Sequence, residues 1–178
     1  MKLNAGLIRK FGVALAIILL ILMLGRFFSE SYARAITNSN SANSDQTEFL
    51  QLGLELRETG RLTDGTRNPL YPPLLAPFAH RDWSYFTVAK LMSIVFGLLT
   101  IVAVLVLGWR RFNPFTGIAA AYLVSINVEF TAHSARALTE SLLVLLVVLA
   151  WFAMLYALDD KDRWGFWALA GVLVALAY

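Results

Sequence analysis

The residues that could do chemistry in this 178-residue chain are a carboxylate, Asp45, and three cations, Arg67, Lys90 and Arg136, set close to long apolar runs. An ionised carboxylate can take a proton from a poor nucleophile, and fixed cations can steady a departing anion. Local sequence alone also reads Asp45 as a plain helix N-cap, and Lys90 as an interfacial lysine snorkelling from a helix end. Glu140 falls inside an apolar run, where facing lipid would cost up to about 3 kcal/mol. It is therefore expected to face the protein interior, either paired with Arg136 at the i,i+4 spacing or shaping an acceptor or metal site. Glu129, His133 and Glu140, with Arg136 among them, are the candidates for holding a divalent cation, although they lack a tight ligand spacing. Glu48 reads as the solvated face of a surface helix that can touch a substrate, and Tyr71 offers an aromatic hydroxyl.

The elements that must position these groups are membrane helices. Hydrophobic residues make up 58% of the chain, charged residues 15%, and mean hydropathy is +0.64, well above a water-soluble domain. Of the 27 charged side chains, 12 fall between residues 29 and 84, which leaves long uncharged runs elsewhere. A bilayer core asks for roughly 20 apolar helical residues, because backbone amides in lipid must be satisfied within the helix. Five runs approach that length, at residues 11–28, 88–108, 112–128, 137–158 and 164–178. The expected fold is an all-α, polytopic transmembrane bundle with interfacial helices in its first loop. The last run stops at Tyr178 without a flanking charge, which reads as the front part of a longer protein. With five spans, Lys2, Arg9, Lys10, Arg110, Arg111, Lys161 and Arg163 share one side, expected to be cytoplasmic. The loop 29–84 then faces the extracytoplasmic side of a plasma (inner) membrane. An alternative treats residues 1–35 as a cleaved signal peptide, with Arg9-Lys10, an apolar stretch and Ala33-Arg34-Ala35 as its three regions. The basic residues form no continuous stripe, so nucleic acid is set aside, and the absence of cysteine excludes disulfides and thiolate sites.

Within the loop, Asn-Ser-Asn-Ser-Ala-Asn-Ser at 38–44 is a flexible polar approach to a helix that Ser44 or Asp45 can cap. That helix is expected to lie on the membrane surface, to run to residue 55 or 56 and to end by Gly60. Thr63-Asp64-Gly65-Thr66 reads as a turn. The three prolines of Arg67-Asn68-Pro69-Leu70-Tyr71-Pro72-Pro73 predict a stiff, extended path, followed by a second interfacial stretch at 74–80. Trp83, Trp109, Trp164 and Trp167 read as belt anchors.

The order of these parts resembles the GT-C glycosyltransferases, and more narrowly the protein mannosyltransferase and aminoarabinose transferase group, glycosyltransferase family 39. The features that carry the resemblance are a basic-flanked first span, Asp45-Gln46-Thr47-Glu48-Phe49 opening a Gly-terminated surface helix, and Arg67-Asn68-Pro69-Leu70-Tyr71-Pro72. Val88-Ala89-Lys90-Leu91-Met92-Ser93 at the second span and Thr139-Glu140 at the fourth extend it over essentially the whole chain. The resemblance implies transfer of a sugar from a polyprenyl-phosphate donor to a protein, lipid or glycan acceptor at the extracytoplasmic membrane surface, with inversion at the anomeric carbon. It implies Asp45 as catalytic base; the departing phosphate also needs cations, for which Lys90, Arg67 and Arg136, expected at headgroup height, are the candidates, with Glu48, Tyr71 and Glu140 as further candidate substrate contacts. No firm cofactor is implied, although some GT-C enzymes use a divalent metal. The family's first-loop motif carries two adjacent acids where this chain has Asp45 and Gln46, and it commonly has arginine where this chain has Lys90. A transporter or flippase of lipid-linked substrates, or a non-catalytic membrane scaffold, are the competing readings; the first would place ionisable groups at the bilayer midplane or on broken helices.

Overall fold

The computed structural model describes residues 5–40, 44–159 and 163–177, and these form helices without any strand. In chain order they are α1 (Ala5–Thr37), α2 (Ser44–Thr59), α3 (Tyr71–Leu75), α4 (Trp83–Arg111), α5 (Pro114–Ser125), α6 (Val128–Ser134), α7 (Glu140–Asp159) and α8 (Trp164–Ala177). A single 3-10 turn at Ala76–Phe78 follows α3. Lys2 and Lys161 of the expected basic flanks, and Tyr178, lie outside the described residues.

The all-helical membrane architecture matches the expectation, and the apolar helices fit a multi-pass membrane protein. Three helices are long and apolar enough to cross a bilayer, namely Gly12–Thr37 within α1, α4 and α7. The expected third span is instead a bent pair, α5 and α6, meeting at 64°. Two asparagines start its two helices. Asn113 accepts from the Thr116 amide at 2.9 Å and precedes Pro114, so α5 starts there rather than at residue 112. Asn127, in an extended conformation, accepts from the Phe130 amide at 2.8 Å and starts α6 on a new axis. Glu129, expected at the exit of this span, sits just past the bend, in the first turn of α6. The fifth expected span is the 14-residue α8, shorter than a full crossing.

Other boundaries also moved. α1 continues past residue 28 to Thr37, because Arg26, Glu30 and Arg34 pair along one face at i,i+4 and keep the polar extension helical. α2 runs on to Thr59, ended by Gly60 at φ +78°. The expected extended path after Arg67 is a helix from Tyr71, since Pro72 and Pro73 fall in its first turn, where no intrahelical N–H is needed.

Apolar packing joins these pieces in two main clusters. Phe27 and Met23 of α1 meet Ile101 and Leu105 of α4 and Ala121 of α5. At the end that carries α2, Phe49, Tyr71 and Leu75 pack on Tyr85, Phe86 and Ala89 of α4 and on Leu138 and Leu142. At the opposite end Arg111 of α4 reaches Asp159 and the Leu155 carbonyl of α7. Where α4 crosses α5 the backbones touch: a Cβ on Gly117 would stand 2.6 Å from the Leu105 carbonyl oxygen and the Trp109 nitrogen. Small residues of this kind let membrane helices approach closely.

One polar tie crosses the bundle. Lys90 of α4 is 4% exposed, and its Nζ donates to the carbonyls of Ala35 at 2.6 Å and Asn38 at 2.9 Å. It thereby caps the carbonyl end of α1 with a positive charge, as the helix dipole favours, while the Phe86 ring lies 4.2 Å from the ammonium.

Two predictions follow from this packing. Gly117→Ala drives a methyl group against the α4 main chain at Leu105 and Trp109 and is expected to destabilise the protein by about 2 kcal/mol, read as a lowered thermal midpoint in detergent. Lys90→Met orphans two carbonyls and is expected to cost roughly 2–3 kcal/mol, whereas Arg136→Gln, on an exposed side chain, stays within about 0.5 kcal/mol. Equal midpoints for the last two variants would contradict the capping role.

Candidate active site

The candidate site gathers around the first turn of α2. Asp45 lies there with its side chain 67% exposed. Glu48, one turn on, shares its side of the helix, and Arg67 stands between them, with Nη2 3.9 Å from Asp45 Oδ1 and Nη1 3.6 Å from Glu48 Oε2. Arg67 is held there by Asp64. The Asp64 Oδ1 accepts from the amides of Thr66 at 2.9 Å and Arg67 at 3.0 Å, and Oδ2 pairs with the Arg67 guanidinium. The Thr66 amide, followed by the Arg67 guanidinium, holds the Asp64 carboxyl well below the usual carboxylate range. Gly65, at φ +85°, closes this expected turn in a conformation that glycine adopts without strain.

Three carboxylates thus surround one guanidinium. Expected on the phosphate side, Arg67 is instead a neighbour of the candidate base, and Asp64 is the partner that sequence reasoning missed. Its signal was present: an Asp-Gly turn places an acid three residues before Arg67.

Lys90 was expected beside the same phosphate, and it points elsewhere, into the carbonyl end of α1. Tyr71 is 0% exposed, packed edge-on against Phe49 with ring centroids 5.4 Å apart. Its hydroxyl lies 3.3 Å from Ser93 Oγ and 3.4 Å from the Ala89 carbonyl, which makes it part of the core in this structure and not a group open to a ligand. Burial, reinforced by the charge of Glu140, pushes the phenol up from its ordinary value.

The third group forms at the corner between α6 and α7. Glu140 is the first residue of α7, not one turn inside it, and an acid is favourable at a helix N-terminus. Arg136 precedes α7, so the expected i,i+4 pair does not form. Glu140 turns to His133 instead, with Oε1 3.6 Å from Nδ1. His133 Nδ1 and Glu140 Oε2 are both buried without a hydrogen-bond partner among the described residues. Glu129, His133 and Glu140 do not converge, and among the described residues no group of three acids or histidines is placed to hold a metal ion.

Arg136 is left with no ion pair among the described residues. It lines a polar pocket of about 300 Å³ with Arg34, Thr37, Asn38, Ala132 and Ala135, which contains no carboxylate. Arg34 was not foreseen as a site residue, since its pairing with Glu30 at 3.3 Å reads as helix support. A larger cleft of about 710 Å³ lies along a face of α2 that does not include Asp45, between Glu55 and Glu58 and the α4 residues Trp83, Tyr85 and Phe86. Arg81 closes it with a fork onto Glu58 at 3.2 and 2.8 Å, which also holds the Glu58 carboxyl below its ordinary value.

One polar residue links the α2 site to the pocket. Gln46 is 3% exposed; its Oε1 accepts from Asn38 Nδ2 at 3.1 Å and from the Ala137 amide at 3.0 Å, and its Nε2 donates to the Asn40 carbonyl at 2.9 Å. The expected polar approach at 38–44 is thus fastened at Asn38 and Asn40, with residues 41–43 lying outside the described residues.

Comparison with known proteins adds identity to this geometry. The family model for dolichyl-phosphate-mannose-protein mannosyltransferase matches residues 80–178, more than half of the chain. The match takes in Lys90, Arg136 and Glu140 and begins after Asp45, Glu48, Arg67 and Tyr71. No curated protein and no solved structure matches the chain. With its apolar helices, bent third segment and this match, the chain belongs to the dolichyl-phosphate-mannose-protein mannosyltransferase family, membrane glycosyltransferases of the GT-C type.

Proposed function

We propose that this protein transfers a sugar from a polyprenyl-phosphate donor to a hydroxyl acceptor at the extracytoplasmic face of the plasma membrane, with Asp45 as the general base. One observation carries the reading: the carboxylate at the head of α2 is open to solvent, while Asn38 and Gln46 join that helix to a carboxylate-free pocket lined by two arginines. Attack by a hydroxyl at an anomeric carbon needs a group to take its proton, and the departing lipid phosphate needs positive charge that is fixed beforehand. Asp45 answers the first need. For the second, Arg67 is already shared by three acids and Lys90 by two carbonyls, so Arg136, with Arg34 beside it, takes the phosphate.

Membership of the family supports a lipid-linked sugar donor and a protein acceptor in general terms. Lys2, Arg9, Lys10, Arg110, Arg111, Lys161 and Arg163 fall in short flanks on one side of the threading, which supports a cytoplasmic amino terminus and, with it, an extracytoplasmic α2. Glu48 and Glu140 are assigned as acceptor contacts, Glu48 through its place beside Asp45 and Glu140 through its unpartnered oxygen. No divalent metal is assigned to the described residues.

In membranes containing the complete protein, Asp45→Asn is expected to lower sugar transfer by at least about 10²-fold while donor binding persists. Arg136→Gln is expected to raise the donor KM and leave protein abundance unchanged. A fully active Asp45→Asn variant would remove Asp45 from the role, and a scaffold would be indifferent to both changes.

A further inference from the structure

We infer that Gln46 is a positioning residue, which holds the Asp45 carboxylate in register with the pocket formed by Arg34 and Arg136; the inference rests on the proposed base role of Asp45. Gln46 neighbours Asp45 in sequence and faces inward while Asp45 faces out. Its amide joins three separate parts of the chain. Through Asn38 it meets the end of α1, through the Asn40 carbonyl the approach to α2, and through the Ala137 amide the corner before α7.

Asn38 makes this more than a local tie. It lines the Arg34 and Arg136 pocket, its Nδ2 also donates to the Ala135 carbonyl at 3.3 Å, and its own carbonyl takes the Lys90 ammonium. The route from pocket to base is therefore two hydrogen-bonded side chains, Asn38 and Gln46. Transfer requires the proton acceptor and the phosphate cations to be fixed relative to each other to within a fraction of an ångström. α1 ends at Thr37 and α2 begins at Ser44, so the two helices are separate elements and the Asn38–Gln46 bond is a direct side-chain tie between them.

The chemistry of the contacts selects an amide. Both acceptor lone pairs of Oε1 are engaged and Nε2 must donate, so a carboxylate would face the Asn40 carbonyl with no proton to give, and an apolar side chain would satisfy none of the three partners. An amide is also neutral, so its burial leaves no uncompensated charge beside the base.

The test uses the complete protein in lipid vesicles, with mannosyl polyprenyl phosphate as donor and a serine- and threonine-rich peptide as acceptor. Gln46→Met keeps the side-chain length and removes all three bonds. It is expected to lower kcat by about 10- to 100-fold per folded molecule while the donor KM stays within about two-fold. Hydrogen exchange at the Ala137 amide, which loses its acceptor, is expected to quicken. Should Gln46→Met fail to fold, Gln46→Asn, with the same amide one methylene short, must show the same lowered kcat and unchanged KM. A wild-type kcat per folded molecule in either variant, or a loss accounted for wholly by the donor KM, would overturn the proposal. Asp45→Asn in the same assay separates the two claims: if that variant stays active the base assignment fails, whereas if it is inactive and Gln46→Met is not, the positioning role alone fails.

Discussion

Everything at the α2 end of this bundle depends on how buried backbone carbonyls are satisfied where α1 stops. A helix terminus leaves unpaired carbonyls, and in an apolar bundle these cannot be left without donors. Lys90 supplies the donors from a neighbouring helix. Its charge answers the negative end of the α1 dipole, and its position on the second turn of α4 fixes the height at which α1 and α4 meet. Asn38, capped by Lys90 through its carbonyl, then uses its side chain to reach Gln46 and Ala135. A lysine that local sequence presents as an interfacial cation is thus the first member of a polar chain running through four elements. Interactions of this sort are stronger in a low-dielectric setting, and each member left unsatisfied is correspondingly expensive.

The spans were legible because lipid demands long apolar runs, and α4 and α7 fall close to where hydropathy places them. What hydropathy could not show was the direction of a helix within a run. Residues 112 to 134 are apolar enough for one crossing, yet two asparagines outweigh composition by offering side-chain acceptors that start new helices. The proline segment failed for the complementary reason. A Tyr-Pro-Pro string is extended when nothing follows it, but the same fixed φ suits a first helical turn once Tyr71 and Leu75 have a core to enter. Tyr71 shows the consequence for site prediction: a hydroxyl that looked available is needed to close the core against Ser93.

Charged residues were harder to place than apolar ones, since sequence spacing fixes neighbours only within a continuous helix. The i,i+4 ladder of Arg26, Glu30 and Arg34 obeys that rule, while Arg136 and Glu140 have the same spacing and do not pair because the helix begins between them. Asp45, Glu48 and Arg67 come together across a loop of the chain, and only the Asp64 turn explains why the guanidinium stays there. Gln46 was visible as an amide where a second acid stands in the family pattern, but its contacts with Asn38 and Ala137 span 8 and 91 residues, beyond the reach of any local rule.

The distribution of cations carries the functional argument further than the identity of any one of them. Among the basic residues near the α2 end, Arg57 donates to the Ala79 carbonyl, and Arg61 and Arg81 pair with Glu55 and Glu58; the free capacity of the other four differs widely. Arg67 is flanked by three carboxylates, so a phosphate approaching it would meet net negative charge. The Lys90 ammonium already serves two carbonyls and is shielded by Phe86. Arg34 shares one nitrogen with Glu30, and Arg136 shares none with any described acid. In the proposed function the departing phosphate is therefore assigned to Arg136, which has no ion pair among the described residues, and to Arg34 beside it, away from Asp45. That separation is what a displacement needs, because a base that takes a proton and cations that hold a leaving phosphate must lie on different sides of the reacting carbon.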